Sequence, residues 1–256
     1  MERLKKKAAL ILMVVAAGIL ILVVMQLLEA YQNYQDSQDT YDEMKEEFVD
    51  HPQLPEEERT SEKGYQFLQI DFAGLKAANP DVIGWIDIPG VGISYPVLQG
   101  EDNAYYLSHL ASGAYGTGGS VFMDCQNHPD LSDQNTIIYG HNMRDDSMFG
   151  KLDGYLERST YESQPYFYLY LPDKVFIYRI LSAYEGYTDS VAYTYLFSTE
   201  EEFKSFLDEM LRNSVYDTGT QVGPEDRIVT LSTCTNTSRH KRFLVHGVLE
   251  QEQVNP

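Results

Sequence analysis

The chain has 256 residues, room for one membrane segment and one globular domain of ordinary size. Its hydrophobic share of 43% supports a sizeable core, while its formal net charge is -20. Arg3, Lys5, Lys6 and Lys7 against Glu2 give the first seven residues +3, so residues 8–256 carry -23. A body that acidic, with no basic stripe, excludes nucleic-acid binding and is read as a solubility feature. Attraction to cationic partners is the alternative.

Ala8 to Met25 is an unbroken apolar run, extended past Gln26 to Leu27 and Leu28. At about 1.5 Å per residue it nearly crosses a hydrocarbon core of about 30 Å. The flanking basic residues keep the N-terminus cytoplasmic. A cleaved signal peptide is the rival reading. Its apolar region would span about 7–15 residues with small residues before the cut, and Leu28-Glu29-Ala30 fits that poorly. The expected organisation is therefore a basic cytoplasmic tail at 1–7, a transmembrane signal-anchor at 8–28, a helical stalk and linker at 29–61, and an extracellular domain at 62–256. The protein is expected to be single-pass in the cell membrane.

Tyr31, Tyr34, Tyr41 and Phe48 fall near helical spacing and predict an amphipathic helix that rests on the body or acts as a stalk. His51 to Ser61, with two prolines and a charge run, reads as a linker. A short helix is expected over Asp71 to Ala78, stopped by Asn79-Pro80. Short β-branched runs then recur at Val82 to Gly100, Ser120 to Met123, Thr136 to Tyr139, Tyr166 to Leu171, Val175 to Tyr184, Ile228 to Thr233 and Arg242 to Leu249. The runs around Pro172-Asp173-Lys174 form a hairpin. Ser198-Thr199-Glu200-Glu201 reads as a capping box, followed by an apolar face of Phe203, Phe206, Leu207, Met210 and Leu211. Many short strands with few helices predict a barrel or a sandwich.

The two cysteines are Cys125 and Cys234. In an extracellular domain they are a fair pair for one disulfide. No CxxC spacing suggests zinc, and neither a metal nor a cofactor is expected. Cys234 ends the apolar strand IVTLSTC, where a rigid element positions the thiol and the following loop leaves it accessible. A free thiol has a pKa near 8.5, so nucleophilic work needs a cation or base beside it. Ser238 to Arg242 (SRHKR) supplies cations just before the next strand, and an Arg returned beside the thiol favours thiolate and holds an oxyanion. His141, just past the strand in TIIYGHNM, is the best-placed histidine for proton transfer. His246 lies within a strand and reads as structural. His109 and His128 have weaker settings, and His240 stays open on pattern alone.

TLSTC at Thr230 to Cys234, an Arg at the start of the next strand, and YGH at Tyr139 to His141 together resemble the sortase signature, class B above all. Asp71 to Gly90, YPVLQG (Tyr95 to Gly100), DNAYYL (Asp102 to Leu107), SVFMD (Ser120 to Asp124) and the helix from Ser198 onward resemble class B stretches. The resemblance implies a mainly β fold: an eight-stranded β-barrel with peripheral helices, preceded by one transmembrane helix and held outside a Gram-positive cell. It implies a cysteine transpeptidase that cleaves surface proteins after the Thr of a C-terminal sorting motif, NPxTN-like or LPxTG-like. A thioacyl intermediate on Cys234 would pass to a peptidoglycan precursor amine. His141 would be the general acid and base, and Arg242 the oxyanion and substrate anchor. Asn103, Leu107, Tyr139 and Ser232 would line the groove. Two features depart from the pattern: Cys125 stands where an aromatic often follows FMD, and Arg239 competes with Arg242 for the site. Two other functions stay open here, a pilin-polymerising enzyme and a non-catalytic binding domain stapled by a Cys125–Cys234 disulfide. The absence of an obvious lid with an aromatic plug argues mildly against the first.

Overall fold

One helix, α1 (Glu2–Phe48), carries the N-terminal region in the computed structural model, which describes residues 2–50, 67–235 and 238–255. Its 47 residues make it about 70 Å long. The first half is exposed along its apolar residues, among them Leu12, Leu20 and Leu27, and is long and apolar enough to cross a membrane. The last turns differ: Tyr41 and Met44 are buried against the body. Tyr31, expected on the same face, is exposed because the helix has not yet reached the body there. After α1, β1 (Val49–Asp50) pairs antiparallel with β2 (Gln69–Ile70). The expected linker at His51 to Ser61, and the domain start at 62, lie outside the described residues.

The helix α2 (Phe72–Ala78) begins where Asp71 caps it, with Gly74 N–H donating to Asp71 Oδ1 at 3.0 Å. It ends at Asn79, since the following Pro80 pushes its predecessor out of helical conformation. Eight strands follow: β3 (Val82–Ile88), β4 (Ile93–Leu98), β5 (Val121–Met123), β6 (Asn135–Tyr139), β7 (Tyr166–Tyr170), β8 (Lys174–Tyr187), β9 (Ile228–Cys234) and β10 (Lys241–Val254). They close a barrel in the order β10-β8-β7-β3-β4-β5-β6-β9. Two more helices, α3 (Arg158–Ser163) and α4 (Glu200–Asn213), sit outside it. The barrel expectation holds and the sandwich is excluded.

Strands β8 and β10 run past their expected ends because they pair with each other from Lys241 opposite Tyr187 to Val254 opposite Lys174. Register shifts at His246/Gly247 and Leu249/Gln251 bend them, as bulges do. Short 3-10 turns at Tyr105–Leu107, Gly150–Leu156 and Val191–Tyr193 carry no apolar periodicity and went unread in the sequence. The capping box of α4 is shifted by one residue. Thr199 is the N-cap, accepting from Glu202 N–H at 3.2 Å, and Glu202 reaches back to accept from Ser198 N–H at 2.7 Å.

Alternation along the strands divides the core in two. Val229, Leu231, Phe243 and Val245 point into the barrel. Ile228, Leu244 and Val248 join an outer cluster with Phe203, Phe206, Leu207 and Met210 of α4. Two strand pairs, β4/β5 and β6/β9, are parallel and need crossovers, which run over residues 99–120 and 140–227. These crossovers wall the site.

Candidate active site

Because β6 and β9 are parallel, their C-terminal ends emerge together. Tyr139 is level with Ser232, and Gly140 N–H donates to the Ser232 carbonyl at 3.1 Å. His141 follows two residues past the end of β6, Cys234 is the last residue of β9, and Asn142 Nδ2 donates to the Cys234 carbonyl at 2.8 Å. On the other side β10 runs antiparallel, with Arg242 as the register partner of Cys234. Strand geometry alone thus gathers His141, Cys234 and Arg242. The Gly140 between Tyr139 and His141 is steric: a Cβ there would lie 2.6 Å from the Phe149 ring.

A cavity of about 420 Å³ opens at this edge. Cys234, His141 and Arg242 line it, and so do Asn103, Leu107, Tyr139 and Ser232. Every site residue named from the sequence therefore faces one space. His141 Nε2 donates to the Leu107 carbonyl at 2.8 Å. A carbonyl only accepts, so in the neutral ring the basic nitrogen is Nδ1. The Arg242 guanidinium is tied to its own turn, donating to the carbonyls of Arg239 at 3.0 Å and Lys241 at 2.9 Å. Arg239 is exposed on that turn and does not line the cavity.

Among the lining residues not named as site residues from the sequence, two organise the groove. Asp124, just past β5, accepts from Asn103 Nδ2 and from the Tyr139 hydroxyl, both at 2.8 Å, and so fixes two groove side chains with one carboxylate. Burial, then the Asp124 charge, pushes the Tyr139 hydroxyl far above the usual phenol range, so it stays a donor. Tyr193 stacks on Tyr139 with rings 7° apart, and its hydroxyl is 2.9 Å from Ser232 Oγ. Burial raises its pKa, against the opposing pull of the Ser232 hydrogen bond and Arg242. The end of SVFMD was a visible signal for Asp124. Tyr193 sits in a 3-10 turn without any pattern.

The disulfide alternative is overturned: both cysteines are free. Cys125 follows β5 and Cys234 ends β9, with β6 between those strands. Two strand spacings amount to about 10 Å, beyond the reach of a disulfide. Cys125 instead gives its N–H to Asn103 Oδ1 at 2.8 Å. The other described histidines lie off the cavity lining. His246 is buried in the outer cluster, His128 pairs with Asp133 at 2.7 Å, His109 stacks on Tyr105, and His240 is exposed on the turn before β10.

Residues 86–250 match the family model of the sortase domain. Sortase B of Listeria monocytogenes is 36% identical over 177 residues, covering 68% of this chain and 72% of that one. Sortase B of Staphylococcus aureus is 33% identical over 229 residues, covering 88% and 92%. Among solved structures, sortase B from B. anthracis in complex with AAEK1 superposes with a TM-score of 0.72 at 31% identity, over 86% of this chain and 99% of that one. The S. aureus sortase B crystal structure gives 0.67 at 34% identity, over 70% and 86%. The chain belongs to the sortase family, in its class B branch, and is a sortase transpeptidase of that general kind.

Proposed function

We propose that the protein is a cysteine transpeptidase that cuts surface proteins after the Thr of a C-terminal sorting motif, NPxTN-like or an LPxTG-like variant. The reading rests above all on one observation: Cys234, His141 and Arg242 occupy matched positions at the ends of β6, β9 and β10 and line one cavity. In this mechanism the Cys234 thiolate attacks the Thr carbonyl carbon, and the carbonyl electron pair moves to oxygen. Arg242 stabilises that oxyanion. His141 gives a proton to the departing backbone nitrogen as the C–N bond breaks, leaving a thioester. The amine of a peptidoglycan precursor then loses a proton to His141, attacks the thioester and expels the thiolate. Asn103, Leu107, Tyr139 and Ser232 hold the motif in the groove.

The apolar stretch at 8–28 anchors the enzyme, with the basic tail at 1–7 in the cytoplasm, the stalk and linker at 29–61 and the catalytic domain at 62–256 outside. The test is mass spectrometry of the enzyme with a small library of sorting-motif peptides. A thioacyl adduct on Cys234 is the expected result. No adduct with any peptide, or cleavage that persists in Cys234→Ala, defeats the proposal.

A further inference from the structure

The proposed chemistry gives α1 no role beyond anchoring, yet its last turns grip both loops that flank His141. Tyr41 is 6% exposed. Its hydroxyl donates to the Gly119 carbonyl at 2.5 Å, accepts from Ala111 N–H at 3.2 Å and lies 2.9 Å from Ser120 Oγ. Burial pushes its pKa up to about 12, so it keeps the proton these bonds need.

Gly119 is the spacer between Tyr41 and His141. It has φ +55°, and a Cβ there would lie 2.6 Å from the Tyr106 carbonyl oxygen, 2.9 Å from that of Leu107 and 3.0 Å from His141 Cδ2. That same Leu107 carbonyl accepts from His141 Nε2 at 2.8 Å. A shift of Gly119 therefore moves the acceptor and the ring edge together.

The second loop is held from the same helix. The Tyr41 ring meets Tyr95 edge-on, with centroids 5.4 Å apart, and the Tyr95 hydroxyl accepts from Met148 N–H at 3.0 Å. One turn along α1, Gln38 Nε2 donates to Asp145. Asp145 belongs to the stretch that returns at Phe149, whose N–H donates to the His141 carbonyl at 2.9 Å. His141 is thus fixed by its ring through Gly119 and Leu107, and by its backbone through the 143–148 loop.

We propose that Tyr41 and Gln38 are positioning residues for His141, so that the membrane-proximal helix is a working part of the active-site scaffold. This rests on the proposed role of His141 as proton carrier. The helix is continuous from the apolar stretch, and Tyr41 lies about 20 Å along it from Leu28. Force or tilt applied at the membrane would reach the histidine through the side chains of Tyr41 and Gln38, with Tyr34, which also hydrogen-bonds Asp145, beside Gln38.

The experiment uses the full chain in detergent micelles or nanodiscs, with a cleavable sorting-motif peptide. In Tyr41→Phe, kcat is expected to fall about tenfold with KM within twofold, and the pH profile of kcat/KM to shift. In a His141→Ala background the same change should add nothing, because both act through one side chain. A purely structural Tyr41 would lower the melting temperature and reduce activity equally in both backgrounds. A folded Tyr41→Phe with wild-type kcat and pH profile overturns the proposal. Should Tyr41→Phe fail to fold, Gln38→Glu decides, since it sets a carboxylate against Asp145 at an exposed contact. A threefold loss of kcat at unchanged melting temperature supports the proposal, and an unchanged kcat overturns it. If His141→Ala itself keeps full activity, the proposed role of His141 fails, and this inference fails with it. If His141→Ala is inactive and Tyr41→Phe is fully active, only this inference fails.

Discussion

Two parts of the β9/β10 pair each set a hydroxyl or thiol of β9 against a basic-type side chain of β10, and they do opposite things with it. Toward one end, two pairs in from Ile228 opposite Val248, Thr230 faces His246; at the other end Cys234 faces Arg242. Thr230, Ser232 and Cys234 share one face of β9 by simple alternation. At the Thr230 end α4 closes over the strands. His246 is fully buried, with Nδ1 2.9 Å from Thr230 Oγ1 and Nε2 3.2 Å from the Tyr184 hydroxyl, and Thr230 donates on to Asn135 at 2.7 Å. His246, Thr230, Tyr184 and Asn135 are bonded to one another, while the buried hydroxyl of Ser182, the β8 register partner of His246, has no partner, and burial seals the cluster from solvent. At the Cys234 end no α-helix among the described residues lines the opening, Cys234 is exposed, and a cavity takes the place of packing. Coverage, together with a thiol in place of a hydroxyl, separates the structural Thr230–His246 pair from the candidate catalytic site.

The largest effect that can break this comparison is at the open end. Cys234→Ala should lower peptide cleavage by on the order of 10⁴-fold or more. Its thermal stability should stay within a few degrees of wild type, since an exposed thiol contributes little packing. A large loss of stability would mean that the open end is structural after all. The closed end should answer in reverse. Phe206→Ala removes a buried ring that meets Phe203, Phe197 and His246. Denaturant unfolding should show a loss of about 3–5 kcal/mol. The rate at which iodoacetamide alkylates Cys234 in the folded fraction should not change.

Most of the open end was legible in the sequence because strand-end positions can be read from where an apolar run stops. TIIYGH and IVTLSTC place His141 and Cys234 at such stops, and the next run begins at Arg242. What the sequence could not show was the pairing. The parallel register of β6 on β9 makes the two stops coincide, and it depends on a crossover of nearly ninety residues whose strands and helix are readable one by one but whose path back to β6 is not. The walls were harder still. Asp124 works by joining Asn103 to Tyr139, a contact between three separate segments. Tyr193 acts from a 3-10 turn too short to have a pattern. The disulfide alternative failed for the same reason: only the strand order shows that β6 separates the two cysteines.

The closed end should also betray itself in acid. Burial lowers the His246 pKa from 6.5 to about 3. Between those values the unfolded chain binds a proton that the native state refuses, so stability falls as pH drops below 6.5 and levels off near 3. The slope approaches about 1.4 kcal/mol per pH unit. His246→Gln should be less stable than wild type at pH 8, where the buried hydrogen bonds are disturbed without any gain. Because it lacks this titration, the gap should narrow by about 1.5 kcal/mol between pH 6.5 and pH 5 in urea unfolding. A gap that stays constant with pH would mean that His246 can take up its proton without unfolding, and the seal provided by α4 would be looser than its packing implies.

The smallest effect tests whether that seal depends on how α4 begins. Thr199 Oγ1 accepts from Glu202 N–H, and Glu202 reaches back to Ser198 N–H, so one free donor of the first turn and the N–H just before the cap are satisfied by side chains. Phe203 follows at once, fully buried, so the first turn cannot fray without drawing that ring out of the outer cluster. Thr199→Ala should therefore cost about 1 kcal/mol in global unfolding. Hydrogen exchange should localise the change to the amides of residues 200–204 and leave those around Cys234 as they were. Thr199→Ser keeps the acceptor and should restore most of the loss. If Thr199→Ala instead quickens exchange at Ser232 to Cys234, the two ends of β9 are coupled through the strand, and the division between a sealed end and an open one is weaker than the side-chain contacts suggest.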